Sequence, residues 1–180
     1  MLPTEQLMSE HRLIERMVTL LNHEFSRVQA TKQVDLGFIE IAVDFFRVYT
    51  DFCHHGKEEH ILFGELEAKP LLPEHRAMMD ELIYEHIFVR RVLKELLEAK
   101  GRYEREDNKA FSDITRTMST LSTFYPAHIE KEDKHFFPIS IEYLSEDERS
   151  HMFEAFYKFD SSLIHELYNE KVLMLEQKQK

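Results

Sequence analysis

The sequence predicts an all-α fold: four long helices forming a bundle, with an additional C-terminal helical segment. Three observations predict it. Apolar residues recur in steps of three and four, the period of a helix with one buried face. The 180 residues include only 4 Gly and 5 Pro, with 43% hydrophobic and 32% charged side chains, which suits long helices and short connections. Finally, His54-His55-Gly56-Lys57-Glu58-Glu59 places a histidine four residues before a glutamate twice over, and His128 with Glu132 repeats the pattern 74 positions later. Residues i and i+4 share a helix face, so two helices look built to confront one interior site.

At this length one domain with its own core is expected, divided as a bundle over 1–144 and a C-terminal extension over 145–180 that packs on the bundle or on a second subunit. The net charge of −11 argues against nucleic acid or an anionic membrane as partner. No apolar run approaches the ~18 residues of a membrane helix, and the first residues lack a basic segment followed by an apolar one. A single cysteine, Cys53, excludes an intramolecular disulfide and fits a reducing cytoplasm. The unusual count is 11 His.

The first helix is expected from about Thr4 to Arg27, on the stripe Leu7, His11, Ile14, Val18, Leu21, Phe25 and Val28. His11 takes a slot where an aliphatic would otherwise sit. A polar break, Gln29 to Asp35, leads to a second helix over roughly Leu36 to Ala68. It has two apolar rows, one running through Phe52 into His55 and Glu59, the other through Thr50 into His54 and Glu58. Either row could face a metal. Laying Phe63 on Phe137 favours His54 and Glu58, leaving His55 and Glu59 as a reserve pair or as outer partners of the ligands.

Pro73 is placed to open the third helix and Gly101 to stop it. Its stripe again carries a histidine in mid-row, His86. His75 lies eleven residues earlier, about 16 Å along the axis at about 1.5 Å per residue, too far to share a small site. The fourth helix is expected from Asp107 or Asn108 through Tyr125, His128, Glu132 and His135, with Pro126 disturbing it and Pro138 ending it. Tyr125, one turn before His128, reads as packing, with its hydroxyl a candidate for the pocket. Ser145 and Glu148 form a capping box opening the C-terminal segment, whose apolar side includes Met152, Phe153, Phe156, Tyr157, Leu167, Val172 and Leu173. Residues 176–180 are expected to fray.

Four helices thus carry His11, His54, His86 and His128 in core stripes, and two add Glu58 and Glu132. Buried carboxylates need compensating cations. Two metal ions bridged by those carboxylates supply them, and mixed imidazole and carboxylate ligands suit iron, manganese or zinc. The bland alternative is a solvated bundle with polar filler.

The combination of Glu10-His11-Arg12, His54 to Glu59 with Leu62-Phe63, Glu85-His86, and His128 to Glu132 with Phe137-Pro138 resembles the hemerythrin-like, or HHE cation-binding, family. The resemblance implies an up-down bundle around a non-haem di-iron centre, oxo- or hydroxo-bridged, with histidines as terminal ligands and Glu58 and Glu132 as bridges. An open position would take dioxygen, nitric oxide or peroxide. Oxygen-carrying members have a second histidine four residues from the third-helix one; here those positions are Leu82 and Arg90. His55 or Tyr125 could fill that place, and Asp133 could serve beside Glu132. The resemblance therefore implies sensing, iron handling or stress protection rather than simple oxygen carriage. The alternatives are a di-iron enzyme that reduces nitric oxide or peroxide or repairs iron centres, and a helical interaction module with incidental metal; the C-terminal region is a candidate homodimer contact.

Overall fold

Every one of the long apolar stripes is wound into a helix in the computed structural model, which describes residues 2–107, 109–160 and 164–179. We number six helices in chain order. α1 is Pro3–Thr31 and α2 runs without a break over 36–67. α3 is Pro73–Tyr103, α4 runs over 110–140, α5 is Glu146–Phe159 and α6 is Ile164–Lys178. No strand occurs among the described residues, and no helix is long and apolar enough to cross a membrane.

Two apolar clusters fill the bundle, one above and one below a polar layer. The first includes Ile14, Tyr49, Val89 and Ile129; the second includes Leu7, Leu62, Leu82 and Phe136. Along α1 the chain passes from Leu7 in the second cluster, through His11, to Ile14 in the first. α2 runs the other way, from Tyr49 through His54 to Leu62. α3 repeats the direction of α1, and α4 that of α2. The four helices therefore alternate up and down, and each carries its histidine across the same level. Emptying such an interior is costly: truncating a fully buried phenylalanine such as Phe45 or Phe137 belongs to the class that loses about 3–5 kcal/mol.

Several boundaries differ from expectation for local reasons. α1 continues four residues past Arg27, because Lys32 adopts a left-handed conformation (φ 58°) and its N–H caps Val28 O at 2.9 Å. Pro73 does open α3, but the helix passes through Gly101, and the left-handed turn falls at Glu106 (φ 61°). The expected start at Asn108 lies outside the described residues; α4 begins at Ala110 and is unbroken across Pro126. Pro138 does not end it. A wide π-helical turn, Glu132–Phe136, precedes the proline and leaves it in a new first turn, where its missing N–H costs nothing. The Ser145 capping box is present, with Glu148 N–H donating to Ser145 Oγ at 3.3 Å and Ser145 N–H donating to Glu148 at 2.9 Å.

The C-terminal helices lie along the bundle. α5 buries Met152 and Phe156 in the second cluster, and α6 buries Tyr168, Val172 and Leu175 in the first, while Phe153, Tyr157, Leu167 and Leu173 stay exposed. The tail does not fray at Glu176, because Arg16 grips that carboxylate with two hydrogen bonds, 2.9 and 3.0 Å, and α6 runs on to Lys178.

Candidate metal centre

The polar layer holds five imidazoles and two carboxylates with almost no exposure: His11, His54, His55, His86, His128, Glu58 and Glu132. Each ring turns Nδ1 outward to a carboxylate. His11 bonds Asp133 at 2.6 Å, His54 bonds Glu10 at 2.8 Å, and His86 bonds Glu59 at 2.7 Å. His128 bonds Glu85 at 2.7 Å, and His55 faces Asp51 at 3.3 Å. A carboxylate accepts, so each Nδ1 carries the proton, and the Nε2 lone pairs of His11, His54, His86 and His128 point inward.

What they point at is the two glutamates. Glu132 Oε2 lies 3.2 Å from His11 Nε2, and its Oε1 lies 3.2 Å from His128 Nε2. Glu58 Oε1 lies 3.4 Å from His54 Nε2, and its Oε2 lies 3.4 Å from His86 Nε2. Each carboxylate thus presents one oxygen to a first group (His11, His54) and the other to a second (His86, His128), and His55 joins the second. All four glutamate oxygens and the Nε2 atoms of His86 and His128 lack any hydrogen-bond partner. Lone pairs facing lone pairs in a dry interior demand a cation.

Without a metal, protons play that part. His11 Nε2 and His54 Nε2 are 2.8 Å apart, which requires a proton between them once both Nδ1 atoms are committed. Burial alone would lower the pKa of His11, but Asp133 and Glu132 raise it to about 9. His54 answers by falling to about 4, through burial and the charge on His11. His55 is pushed well down by burial and by the charges of His86 and His128. Burial and the facing Glu132 push Glu58 well up, while the histidine ring holds Glu132 ionised. Two facing buried carboxylates repel one another's charge, so the pair favours a proton or a metal cation between them.

The winding of α2 explains how both rows of the sequence reach the centre. Phe45–His55 and Glu58–Leu62 are π-helical, as is Glu132–Phe136 at the matching place in α4. The wider turn lets the consecutive residues His54 and His55 both face inward, whereas an α-turn would swing one of them out. Glu58 is inside; Glu59 is outside, shared between His86 and Arg90 at 2.7 and 2.8 Å. Asp133 likewise sits outside, on His11 and Arg12. Tyr125 is buried with no hydrogen-bond partner for its hydroxyl and stacks on Phe46 at 4.6 Å. Phe63 and Phe137 both lie in the interior, stacked on His86 and His11 respectively. His75 is remote, bonded to Tyr143 at 2.7 Å.

A family model for the hemerythrin HHE cation-binding domain matches residues 2–140. The chain belongs to that family. No curated protein and no solved structure matches it significantly. In this hemerythrin-like domain Glu10 and Glu85 stand out in the sequence only as pieces of the motif, and their role as outer carboxylates escaped the sequence reading. Each stands immediately before a stripe histidine, 75 positions apart, and each holds the histidine of the neighbouring helix. The paired Glu-His doublets were the available sign.

Proposed function

We propose that the protein binds two iron ions, one held by His11 and His54, the other by His86, His128 and His55, with Glu58 and Glu132 bridging them. The observation that carries this reading is the array of inward lone pairs: rings tautomerically locked by outer carboxylates, around two buried glutamates whose four oxygens have no partner. Imidazole with carboxylate suits iron, with manganese or zinc as competitors. Bound iron would supply one-electron redox chemistry and affinity for dioxygen, nitric oxide or peroxide. The chain's own part is to orient the rings through Asp133, Glu10, Glu59 and Glu85 and to keep the pair dry between two apolar clusters. We place the protein in the cytoplasm, in sensing, iron handling or stress protection, with no nucleic acid or membrane partner.

The test is metal analysis of protein purified without added metal, followed by ferrous loading without air and then exposure to oxygen. Two irons per chain and a ferric charge-transfer band are expected; a colourless, iron-free protein would overturn the reading. Steady-state turnover with nitric oxide or peroxide, against Glu132→Ala, separates a binding role from an enzymatic one.

A further inference from the structure

The two halves of the centre are related by an internal repeat, and the C-terminal segment treats them differently. Adding 74 to His54, Lys57, Glu59 and Phe63 gives His128, Lys131, Asp133 and Phe137. The repeat extends to the lysines: Lys57 bonds Glu10, which holds His54, as Lys131 bonds Glu85, which holds His128. There the likeness ends. Lys131 is 23% exposed and spends its other contact on the surface residue Glu81. Lys57 is wholly buried, and its ammonium is clasped by both oxygens of Asp160, at 2.7 and 3.0 Å. Asp160 follows α5, outside the 2–140 stretch that matches the family.

Asp160 is itself fixed from three further sides. Gln6 Nε2 donates to it at 2.8 Å, His165 Nε2 lies 2.9 Å away, and Cys53 Sγ donates at 3.1 Å. Cys53, Asp160 and His165 could be taken for a third metal site, since their ligand atoms cluster. The cation at that place is already present: it is the ammonium of Lys57.

We infer that Asp160 is a positioning residue, and that the C-terminal extension latches the first half of the centre by fixing Lys57, through it Glu10, and through Glu10 the ring of His54. A carboxylate that accepts from both Lys57 and His54 can keep its orientation only if the ammonium cannot wander. Asp160 removes that freedom for the first half, and among the described residues no buried group does so for the second, where Lys131 turns to the exposed Glu81. The metal position beside His11 and His54 is therefore the tighter and more slowly exchanging of the two. That last statement rests on the proposed metal pair; the locking of the His54 ring does not.

The test has one arm without metal and one with it. In metal-free, 15N-labelled full-length protein, long-range proton–nitrogen spectra report which ring nitrogen of His54 carries its proton and how fast that proton exchanges, the signal being assigned by its loss in His54→Gln. Wild type should show a single slowly exchanging Nδ1–H form; Asp160→Asn should mix the tautomers and speed exchange, leaving His128 unchanged. With cobalt(II) as the probe, Asp160→Asn should weaken one of two binding steps by about 10–100-fold, the usual loss when an outer partner of a ligand is removed. Glu81→Gln, the matched change in the second half, removes the exposed second partner of Lys131 and should move neither readout appreciably. If Asp160→Asn fails to fold, His165→Ala, which loosens the carboxylate from a half-exposed position, should shift both readouts in the same direction by less. An unaltered His54 ring in whichever of these variants folds would overturn the positioning role even if two cobalt ions bind. A ring that responds in a protein that binds no cobalt would leave the latch standing and remove the metal reading instead.

Discussion

The half-site of His11 and His54 and the half-site of His86 and His128 start from the same pattern and end in different surroundings. Both use a Glu-His doublet, a buried glutamate that faces both groups of imidazoles, an outer acid and a stacked phenylalanine. The first is backed by the buried ammonium of Lys57 and by Asp160, the residue after α5. The second gains a third imidazole, because His55 has Ile129 as its counterpart in the repeat. Its outer partners face outward: Asp51 and Arg90, which hold His55 and Glu59, line a groove of about 850 Å³ together with Arg47, Phe52, His60 and Phe159. In both halves an outer acid meets an arginine, Asp133 with Arg12 and Glu59 with Arg90; the halves differ in that the first holds a buried ammonium, while the second is richer in nitrogen and borders the groove.

The strongest way to break the comparison is to remove what the halves share. Glu132→Ala should abolish the pair, taking metal content from two ions per chain to below one, as read by elemental analysis; retention of two would refute bridging. Next come the lysines. Lys57→Ala leaves Glu10 and Asp160 buried without their cation and should cost about 3–5 kcal/mol in urea unfolding. Lys131→Ala, at the surface, should cost about 1 kcal/mol or less, and equal losses would erase the distinction. His55→Ile makes the halves chemically alike and should weaken one cobalt step by about 10–100-fold while sparing the other, provided His55 is a ligand.

The smallest effect concerns acid. Burial would raise the Asp160 carboxyl, but His165, Lys57 and Cys53 together bring it down to about 2, below its ordinary 3.8. A carboxyl lowered on folding contributes stability above its unfolded value and loses it as the pH falls through the folded one. Between pH 4 and 2 the wild type should therefore lose more stability than Asp160→Asn, measured by urea midpoints at each pH. Parallel curves would mean that the latch is not an ionic one.

Much of this could be read in advance from residues at fixed spacing. His11, His86 and His128 occupy aliphatic slots in regular stripes, and a histidine in such a slot is conspicuous because its neighbours announce the buried face. The repeat picked out His54 and Glu58; that His55 faces inward as well was not readable, since it depends on a π-helical stretch that i, i+4 reasoning does not contain. Lys57 was invisible for another reason: a buried lysine has no pattern of its own, and its partners lie 47 and 103 residues away in the chain. Pro138 misled because a proline normally stops a helix, and only the wide turn before it makes it harmless.

That wide turn has a consequence for how such a centre could be altered. Where the backbone is overfilled by a residue, shortening the chain by one position there would return it to ordinary α-winding. A deletion in ordinary α-helix turns everything downstream by about a third of a turn, whereas here the downstream residues would keep their face and only the wide turn would be lost. In α2 such a deletion between Tyr49 and Cys53 would spare the facing of Glu58 and remove the winding that brings His54 and His55 inward together. The helix thus holds its inward face by a local surplus of chain, and length at this point matters as much as residue identity.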